Sequence, residues 1–166
     1  MNTEVLFAKV NPNAIIPSKR DEDAGFDIYP CFDKDFIIIE PHTTVLIPTG
    51  IASSCDSDYC FILKERGSTG TKTIEQRCGV IDSGYRGEWF VPLTNGNNHP
   101  IIILKKDKDV SEQVRGYSYI VYPYEKAIAQ ALVVPVPKVE VHEVPYDYLK
   151  SIESQRGTGA LGSSNK

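Results

Sequence analysis

The sequence predicts an all-β fold, and two patterns carry that prediction. Short apolar segments rich in Val, Ile, Phe and Tyr recur along the chain, separated by turn residues such as Gly, Pro, Asn and Asp. No long stretch repeats apolar residues with the 3.6-residue period of an amphipathic helix. Many short strands at this spacing are typical of a β-sandwich or β-barrel.

The strands can be predicted in order from the beginning of the chain. An apolar-rich segment opens it, and Pro41 then separates two further strands, the second of which is closed by the turn residues 48–50. Residues 95–100 form a cluster of turn residues. The predicted strands are residues 4–10, 36–39, 44–47, 61–63, 80–81, 89–91, 101–104, 117–122, 131–136 and 139–144.

Length and charge restrict the function classes. The 166 residues suit one domain with a sizeable core, and no apolar run is long enough to cross a membrane. Residues 1–4 lack the basic start and apolar stretch of a secretory signal. The net charge of −4 disfavours direct nucleic-acid binding, which needs a basic stripe, although a few local arginines suffice for one triphosphate.

Cysteine and histidine usage points to a reducing compartment without a His-built metal site. The four cysteines form no CxxC pair, so we expect buried or incidental thiols in the cytoplasm, not a disulfide framework. The three histidines are scattered along the chain. The residues concerned are Cys31, Cys55, Cys60, Cys78, His42, His99 and His142.

The segment of residues 79–88 is the most informative for chemistry. An apolar run leads into Asp82, a Ser-Gly pair turns the backbone, and Tyr85 follows three residues after the acid. Taken alone, Asp82-Ser83-Gly84 is typical of a hairpin turn. The functional interpretation is a carboxylate held at a strand end to activate a water, beside a small pocket walled by Tyr85.

Four further segments complete a pattern with this one. Residues 24–29 read AGFDIY, residues 65–72 ERGSTGTK, residues 126–130 KAIAQ and residues 156–164 RGTGALGSS. Together the five segments resemble, in order and spacing, the five motifs of the homotrimeric dUTP pyrophosphatases (dUTPases). The resemblance implies a jelly-roll fold and the hydrolysis of dUTP to dUMP and pyrophosphate. That activity limits uracil incorporation into DNA and supplies dUMP for dTMP synthesis.

The resemblance also implies roles for the residues around the phosphates. Asp82 would be the general base that deprotonates the attacking water at the α-phosphorus. Mg²⁺ would be the cofactor, with Asp27 holding metal-bound waters and not the ion itself. Gln130 would hydrogen-bond near the phosphates; alone it is typical of a solvent-facing strand residue.

The loop of residues 65–72 suits phosphate oxygens. Its backbone N–H groups and the Arg66 guanidinium can both donate to them, and Arg can do so bidentately. Without the other motifs it is equally typical of a surface turn. The commoner family form has Arg, Ser, Gly in that order, whereas this chain has Arg66, Gly67, Ser68. We expect Ser68 to supply the side-chain contact to the β-phosphate.

The base and sugar would be read by the hairpin near residues 74–80 and by Tyr85. Backbone groups can pair with the uracil edge, and a tight fit would reject the thymine methyl group. Tyr85 would pack on the deoxyribose and exclude a ribose 2′-hydroxyl. The substrate contacts expected in this part of the chain are Gln76, Gly79, Val80, Ile81 and Tyr85.

The C-terminal tail is Gly- and Ser-rich, which by composition alone is typical of a disordered terminus. The resemblance implies instead an arm that closes over the nucleotide, with Arg156 on the γ-phosphate and Gly162 and Ser163 against the substrate. The family usually places Phe where this chain has Leu161, so stacking on uracil is lost and weaker sequestration is expected.

The resemblance implies a homotrimer in which three chains share each site. One chain would supply the first, second and fourth motifs, another the segment of Asp82 and Tyr85, and a third the arm. We expect a β-domain over residues 1–153, with an inserted loop or hairpin at about 96–116, and an arm over residues 154–166.

Three alternatives remain. A dCTP deaminase is a relative in fold with different chemistry, and the Asp82-to-Tyr85 spacing and the arm of Arg156 favour the dUTPase. A regulatory protein could use the arm and the 96–116 segment to engage a partner, as phage-type members of the family can. A structural jelly-roll, such as a capsid subunit, would not need five site motifs.

Overall fold

The computed structural model describes residues 4–77 and 79–159. Short strands dominate it, and the two helices are brief. The strands are β1 (Val5–Lys9), β2 (Phe26–Ile28), β3 (Phe36–Ile39), β4 (Thr44–Pro48), β5 (Ile51–Cys55), β6 (Tyr59–Lys64), β7 (Ile74–Gln76), β8 (Val80–Ile81), β9 (Phe90–Asn95), β10 (Ile101–Leu104), β11 (Ile120–Pro123) and β12 (Ala129–Pro135); the helices are α1 (Gly67–Gly70) and α2 (Tyr146–Ser151).

The strands form four small sheets. Their orders are β1-β5, β11-β10-β3, β2-β12-β6-β8 and β4-β9-β7. Every pairing is antiparallel except that of β10 with β11. The all-β prediction is confirmed.

The sheet β2-β12-β6-β8 positions most of the predicted site. In its register Gln130 on β12 lies between Asp27 on β2 and Lys64 on β6. Side chains of directly paired residues project from the same face, so Asp27 and Gln130 become neighbours although 103 positions separate them in the sequence. At the other edge, β8 pairs with β6 and ends at Ile81, immediately before Asp82.

An aromatic cluster forms the centre of the core. Phe61 and Trp89 are fully buried, and their rings meet edge to face with centroids 5.0 Å apart. Phe7 on β1 packs against both, at 5.5 Å from Phe61 and 5.7 Å from Trp89. Such aromatic pairs add about 0.5–1.5 kcal/mol beyond the area that they bury. The cluster connects β1 and β6 with Trp89, the residue immediately before β9.

The strand β10 lies within residues 96–116, which are predicted to contain an insertion. It is the central strand of its sheet, and both of its faces are buried, which explains the unbroken Ile101-Ile102-Ile103 run. Ile102 packs in a second, smaller apolar cluster with Val110 and Val114. The strand-free residues 105–119 are therefore attached to the domain by their own apolar contacts. Whether they are an insertion stays a prediction.

The chain divides into two compact units, residues 1–136 and 137–166. In the second unit the described residues carry α2 and no strand, so the predicted strand at residues 139–144 is wrong. Its alternating pattern is real, but a strand needs a hydrogen-bonding partner. Val139 and Val141 are 77% and 89% exposed. The expected division between a domain and an arm at residues 153 and 154 stays a prediction.

The sequence did not predict β2, β5 or either helix, and β7 was expected only as part of the hairpin near residues 74–80. All are short, and their residues do not form a distinctive apolar pattern. Neither helix in the described part of the chain is long and apolar enough to cross a membrane.

Candidate active site

A pocket of about 710 Å³ opens at the end of the sheet β2-β12-β6-β8. Three of the residues singled out in the sequence, Asp27, Arg66 and Gln130, line it together. They come from β2, from the residue that precedes α1, and from β12. The fold therefore brings the first, second and fourth motifs to one place within a single chain.

Arg66 and Asp27 form a bidentate ion pair. Arg66 Nε lies 3.0 Å from Asp27 Oδ1, and Arg66 Nη2 donates to Asp27 Oδ2 at 3.2 Å. Both side chains are about one-third exposed, at 31% and 32%. This geometry fixes the plane of the guanidinium. A guanidinium has five N–H donors, and the pair uses two of them, so donors remain for an anion.

Gln130 is held by a backbone carbonyl. Its Nε2 donates to the carbonyl oxygen of Glu65 at 2.8 Å, which leaves Oε1 as the free end of the amide. Gly25 lies beside this side chain: a Cβ at Gly25 would come within 2.8 Å of Gln130 Oε1. The first motif thus needs glycine here because a larger residue would displace Gln130.

The pocket carries charges of both signs. Lys19, Arg20, Glu22 and Asp23 lie on its wall with the Arg66–Asp27 pair. Arg20 Nε and Nη2 donate to the Asp23 carboxylate at 2.8 and 2.9 Å. These hydrogen bonds lower the pKa of Asp23 and raise that of Arg20. Because both groups are solvent-accessible, this pair contributes little to stability.

The loop after β6 contains the short helix α1. A Cβ at Gly67 would meet no heavy atom within 4 Å, so the reversed Gly-Ser order has no steric cause at this position. The Ser68 hydroxyl oxygen is buried and has no hydrogen-bond partner among the described residues. A buried hydroxyl usually has one, so Ser68 is an unsatisfied polar group in this loop, and its contact with a phosphate stays a prediction.

Asp82 begins a tight turn after β8. The Tyr85 N–H donates to the Asp82 carbonyl oxygen at 3.0 Å, which confirms a turn at this point. The Asp82 side chain is exposed, and no hydrogen bond or ion pair within residues 4–77 and 79–159 involves its carboxylate. Arg86 Nη1 stabilises the turn by donating to the carbonyl oxygens of Ser83 at 2.6 Å and Ser53 at 3.3 Å.

Tyr85 forms one wall of a second, smaller pocket of about 230 Å³. Its hydroxyl donates to the Glu88 carbonyl oxygen at 3.0 Å, and its ring covers Gly87, where no Cβ would fit. The pocket also includes Val80, Ile81 and Asp82, with Val80 61% exposed. An exposed apolar residue next to a carboxylate suits one face of a sugar or base.

The segment of the predicted base-reading hairpin contains β7 and β8, but these strands do not pair with each other: β7 pairs with β9 and β8 with β6, so the hairpin prediction is wrong. The Gly79 carbonyl oxygen accepts a hydrogen bond from Leu63 N–H at 2.6 Å, so one of its polar groups is already used. Gln76 is half-buried, and its Nε2 has no partner among the described residues. This donor is unsatisfied but buried, so the contact of Gln76 with a base stays a prediction.

The arm residues are only partly described. Arg156 Nε donates to the Gly159 carbonyl oxygen at 2.9 Å, and Gly157 has a φ of +54°, a left-handed conformation that favours glycine. Leu161, Gly162 and Ser163 lie outside the described residues. The expected contacts of the arm with a nucleotide stay predictions.

The two pockets have no lining residue in common. Asp27, Arg66 and Gln130 line the first, whereas Asp82 and Tyr85 line the second. Within the described residues of one chain, the phosphate-binding candidates and the candidate base thus belong to different cavities.

Sequence reasoning missed two contributors, the Glu65 carbonyl and Arg86. Every residue has a backbone carbonyl, so the one that orients Gln130 cannot be recognised from residue type. Arg86 follows Tyr85 directly, but its role depends on the distant Ser53 carbonyl and cannot be inferred from the sequence. No group of three or more His, Cys, Asp or Glu side chains in the described part of the chain is arranged to hold a metal ion.

Comparisons with known proteins agree with this geometry. The dUTPase family model matches residues 11–108. The deoxyuridine 5′-triphosphate nucleotidohydrolase of Nautilia profundicola is 32% identical over 167 aligned positions, which cover 98% of this chain and 99% of that protein.

Solved structures extend the likeness to the fold. A dUTPase of phage 80alpha, studied for the link between enzymatic activity and SaPI-inducing capacity, has a TM-score of 0.73 and 25% identity over 99% of this chain and 100% of that one. A dUTPase of S. aureus phage phi11, with a structural Mg(II) ion, has a TM-score of 0.69 and 24% identity over 85% of this chain and 96% of that one. The jelly-roll prediction is confirmed, and the chain belongs to the dUTPase family.

Proposed function

We propose that this protein hydrolyses dUTP to dUMP and pyrophosphate. The observation that carries the proposal is the direct assembly of Asp27, Arg66 and Gln130 around one pocket in a chain of the dUTPase family. The Arg66 guanidinium is positively charged and keeps N–H donors that Asp27 does not use, which suits a polyphosphate. The names of the curated relatives do not support the rival dCTP deaminase.

In this proposal Asp82 accepts the proton of the attacking water. The reaction needs no covalent intermediate: water attacks the α-phosphorus as pyrophosphate leaves. Because the Asp82 carboxylate has no partner among the described residues, both of its oxygens are free to orient a water. Aspartate is a weak base at neutral pH, so alignment contributes as much as proton affinity.

Around it, Arg66 neutralises developing negative charge on the phosphates, and Gln130 Oε1 accepts a hydrogen bond from a water near them. Ser68 donates to the β-phosphate, and Tyr85 with Val80 and Ile81 encloses the deoxyribose. Gln76 and the backbone at Gly79 read the uracil edge. Arg156 meets the γ-phosphate while Leu161, Gly162 and Ser163 cover the nucleotide.

Mg²⁺ fits this pocket as an ion carried mainly by the substrate. Both Asp27 oxygens are engaged by Arg66, and Asp23 is paired with Arg20, so among the described residues of this wall neither of these carboxylates is free to hold an ion directly. Mg²⁺ is typically held through one or two carboxylates, waters and substrate phosphates. Bound in this way, with Asp27 contacting its waters, the ion would neutralise phosphate charge.

The proposal requires a homotrimer that shares its sites. The separation of the Asp82 pocket from the Arg66 pocket supports it, because neither is sufficient alone. The exposed apolar side chains of the second unit also support it: Val139, Val141, Tyr146, Tyr148 and Leu149 are 55–89% exposed. A free strand-like segment of this kind can add to a sheet of another copy.

The activity is tested by incubating the protein and its Asp82→Asn variant with Mg²⁺ and dUTP, dCTP, dTTP or UTP. We expect pyrophosphate release from dUTP alone, and its loss in the variant. Release of ammonia from dCTP would establish the deaminase instead. Binding of dUTP without hydrolysis would contradict the enzymatic proposal.

Shared sites are tested by complementation. Asp82→Asn chains and Arg66→Ala chains are each expected to be inactive alone. After co-refolding, mixed trimers contain sites that combine an intact Arg66 from one chain with an intact Asp82 from another, so activity returns. Sedimentation measures the trimer independently. A monomeric active enzyme, or no recovery in mixed trimers, would contradict sharing.

A second role, nucleotide-dependent binding of a regulatory protein, is favoured by one observation. Residues 105–119 are anchored by Val110 and Val114 yet expose Tyr117 at 75%. Exposed tyrosines are typical of protein interfaces. Replacing residues 106–118 with a short Gly-Ser linker should spare dUTP hydrolysis and abolish partner capture; equal capture by both proteins would exclude this role.

The proposed place of action is the cytoplasm, where the protein would restrict uracil incorporation into DNA and supply dUMP for dTMP synthesis. The free thiols of Cys31, Cys55 and Cys60 support a reducing compartment.

A further inference from the structure

Thr69 occupies an unusual position in the phosphate loop. It is the third residue of α1 and is only 1% exposed, although the loop around it is partly open to solvent. Its side chain borders a small apolar gap together with Ile74, Leu93 and Tyr122. A threonine that is almost completely buried in a surface loop needs partners for its hydroxyl.

Those partners are both polar groups of the Arg66 backbone. The Arg66 N–H donates to Thr69 Oγ1 at 3.1 Å, and the Thr69 hydroxyl donates to the Arg66 carbonyl oxygen at 2.9 Å. The N–H groups of Thr69 and Gly70 donate to the same carbonyl, at 3.1 and 2.9 Å. One hydroxyl thus binds the main chain on both sides of the Arg66 Cα.

This arrangement fixes the residue from which the guanidinium extends. Arg66 has an extended backbone, with φ −96° and ψ 154°, immediately before the helix. Gly67 follows it and offers no side chain to restrain that conformation. Asp27 orients the guanidinium at its far end, whereas Thr69 holds the backbone from which it extends.

We infer that Thr69 is the positioning residue for Arg66, and that it sets affinity for the triphosphate without contacting the nucleotide. The inference rests on the proposed function, because it assigns Arg66 to the phosphates. Removing the hydroxyl leaves the Arg66 N–H without its acceptor, and the backbone at Arg66 gains freedom. The guanidinium then loses part of its alignment.

The test compares Thr69→Val, which keeps the shape but removes the hydroxyl, with Thr69→Ser, which keeps the hydroxyl. Thr43→Val is the matched control, because Thr43 is exposed, lies outside the phosphate loop and also donates its hydroxyl to the carbonyl oxygen three residues earlier. For each variant, titration calorimetry measures the Kd of the non-hydrolysable analogue dUpNHpp and of dUMP, and steady-state assays give KM and kcat. Thermal unfolding is followed in parallel.

We expect Thr69→Val to weaken dUpNHpp binding about tenfold, the loss of roughly one hydrogen bond, with a smaller change for dUMP. The Ser variant and the Thr43 control should match the wild type. In an Arg66→Ala background Thr69→Val should have no further effect, because Thr69 acts through Arg66. That non-additivity is the readout that a merely structural role would not produce.

Additive effects of the two substitutions, or an unchanged Kd in a folded Thr69→Val variant, would overturn the inference. If Thr69→Val does not fold, Thr69→Ser decides, since a folded Ser variant with weakened dUpNHpp binding would show that the hydroxyl is not the determinant. A wild type that fails to bind dUpNHpp would overturn the proposed function itself, which separates the two failures.

Discussion

Arg66 and Asp82 both follow a strand of the same sheet, yet their surroundings differ sharply. The Arg66 guanidinium is paired with Asp27, and its backbone is tied at both polar groups to Thr69. The Asp82 carboxylate has no partner in the described part of the chain, and only its backbone is held in a turn.

The difference agrees with the role that we propose for each group. A group that recognises a polyanion gains from being oriented in advance, since less freedom is lost on binding. A general base must keep its oxygens free for a water, so the fold fixes where the carboxylate lies without occupying it. In the proposed shared site, a neighbouring chain would complete the surroundings of Asp82.

Asp82→Asn should give the largest effect on activity and almost none on stability. We expect kcat to fall by about 10²–10⁴-fold, the usual contribution of a general base. Unfolding should be unchanged because the exposed carboxylate makes no contact within the described residues. Assays of pyrophosphate release and thermal unfolding measure both. Ser83→Ala, in the same turn, is the control, and an equal loss of kcat there would point to the turn instead of the base.

Arg66→Lys should give the next largest effect, because lysine keeps the charge but not the bidentate fork. Hydrogen bonds to charged groups contribute about 1.5–3 kcal/mol, so kcat/KM should fall roughly 10–150-fold. Arg20→Lys is the matched control, since its pair with Asp23 is exposed at the pocket rim. Equal losses in the two variants would mean that general charge, and not the fork, binds the phosphates.

Gly25→Ala tests the support of Gln130. The new Cβ would lie 2.8 Å from Gln130 Oε1, so the side chain must shift and weaken its bond to Glu65. We expect the free energy of unfolding to fall by about 1 kcal/mol, with a several-fold lower kcat/KM. Chemical denaturation and steady-state assays measure these changes. Gly84→Ala, in the Asp82 turn, meets nothing within 4 Å and should not destabilise the protein.

The sequence predicted the candidate functional side chains of the site better than the contacts that support them. Arg66 and Asp82 stand in motifs whose residue types carry chemistry, so they could be found directly. The Gln130–Glu65 bond could not, because it depends on a backbone carbonyl and on the register of β12 between β2 and β6. Thr69 could not be identified either, because its role depends on the backbone groups of Arg66 and a threonine in a Gly-rich loop resembles an ordinary turn residue.

The strands show the same limit. Residues 36–39, 80–81 and 101–104 were predicted with correct bounds, because apolar runs between turn residues mark buried strands. Residues 139–144 were wrong, because alternation reports a preference and pairing needs a second strand. Both the pairing of strands and the supporting contacts in the site therefore depend on residues that are distant in the sequence.

Gly67→Ala should give the smallest effect, and of opposite sign. A Cβ at Gly67 meets nothing within 4 Å and its φ is not in the left-handed region, so alanine mainly restricts the unfolded chain. The free energy of unfolding should rise by about 0.4–1 kcal/mol. Gly50→Ala is the counterpart: its φ is +67°, and a Cβ would lie 2.9 Å from Ala14 and Asn11 side chains, so that variant should lose stability. Chemical denaturation compares the two. If Gly67→Ala were also destabilising, the free space beside Arg66 would have to be occupied in the assembled protein, and the Gly-Ser order of this loop would have a steric cause supplied by another chain.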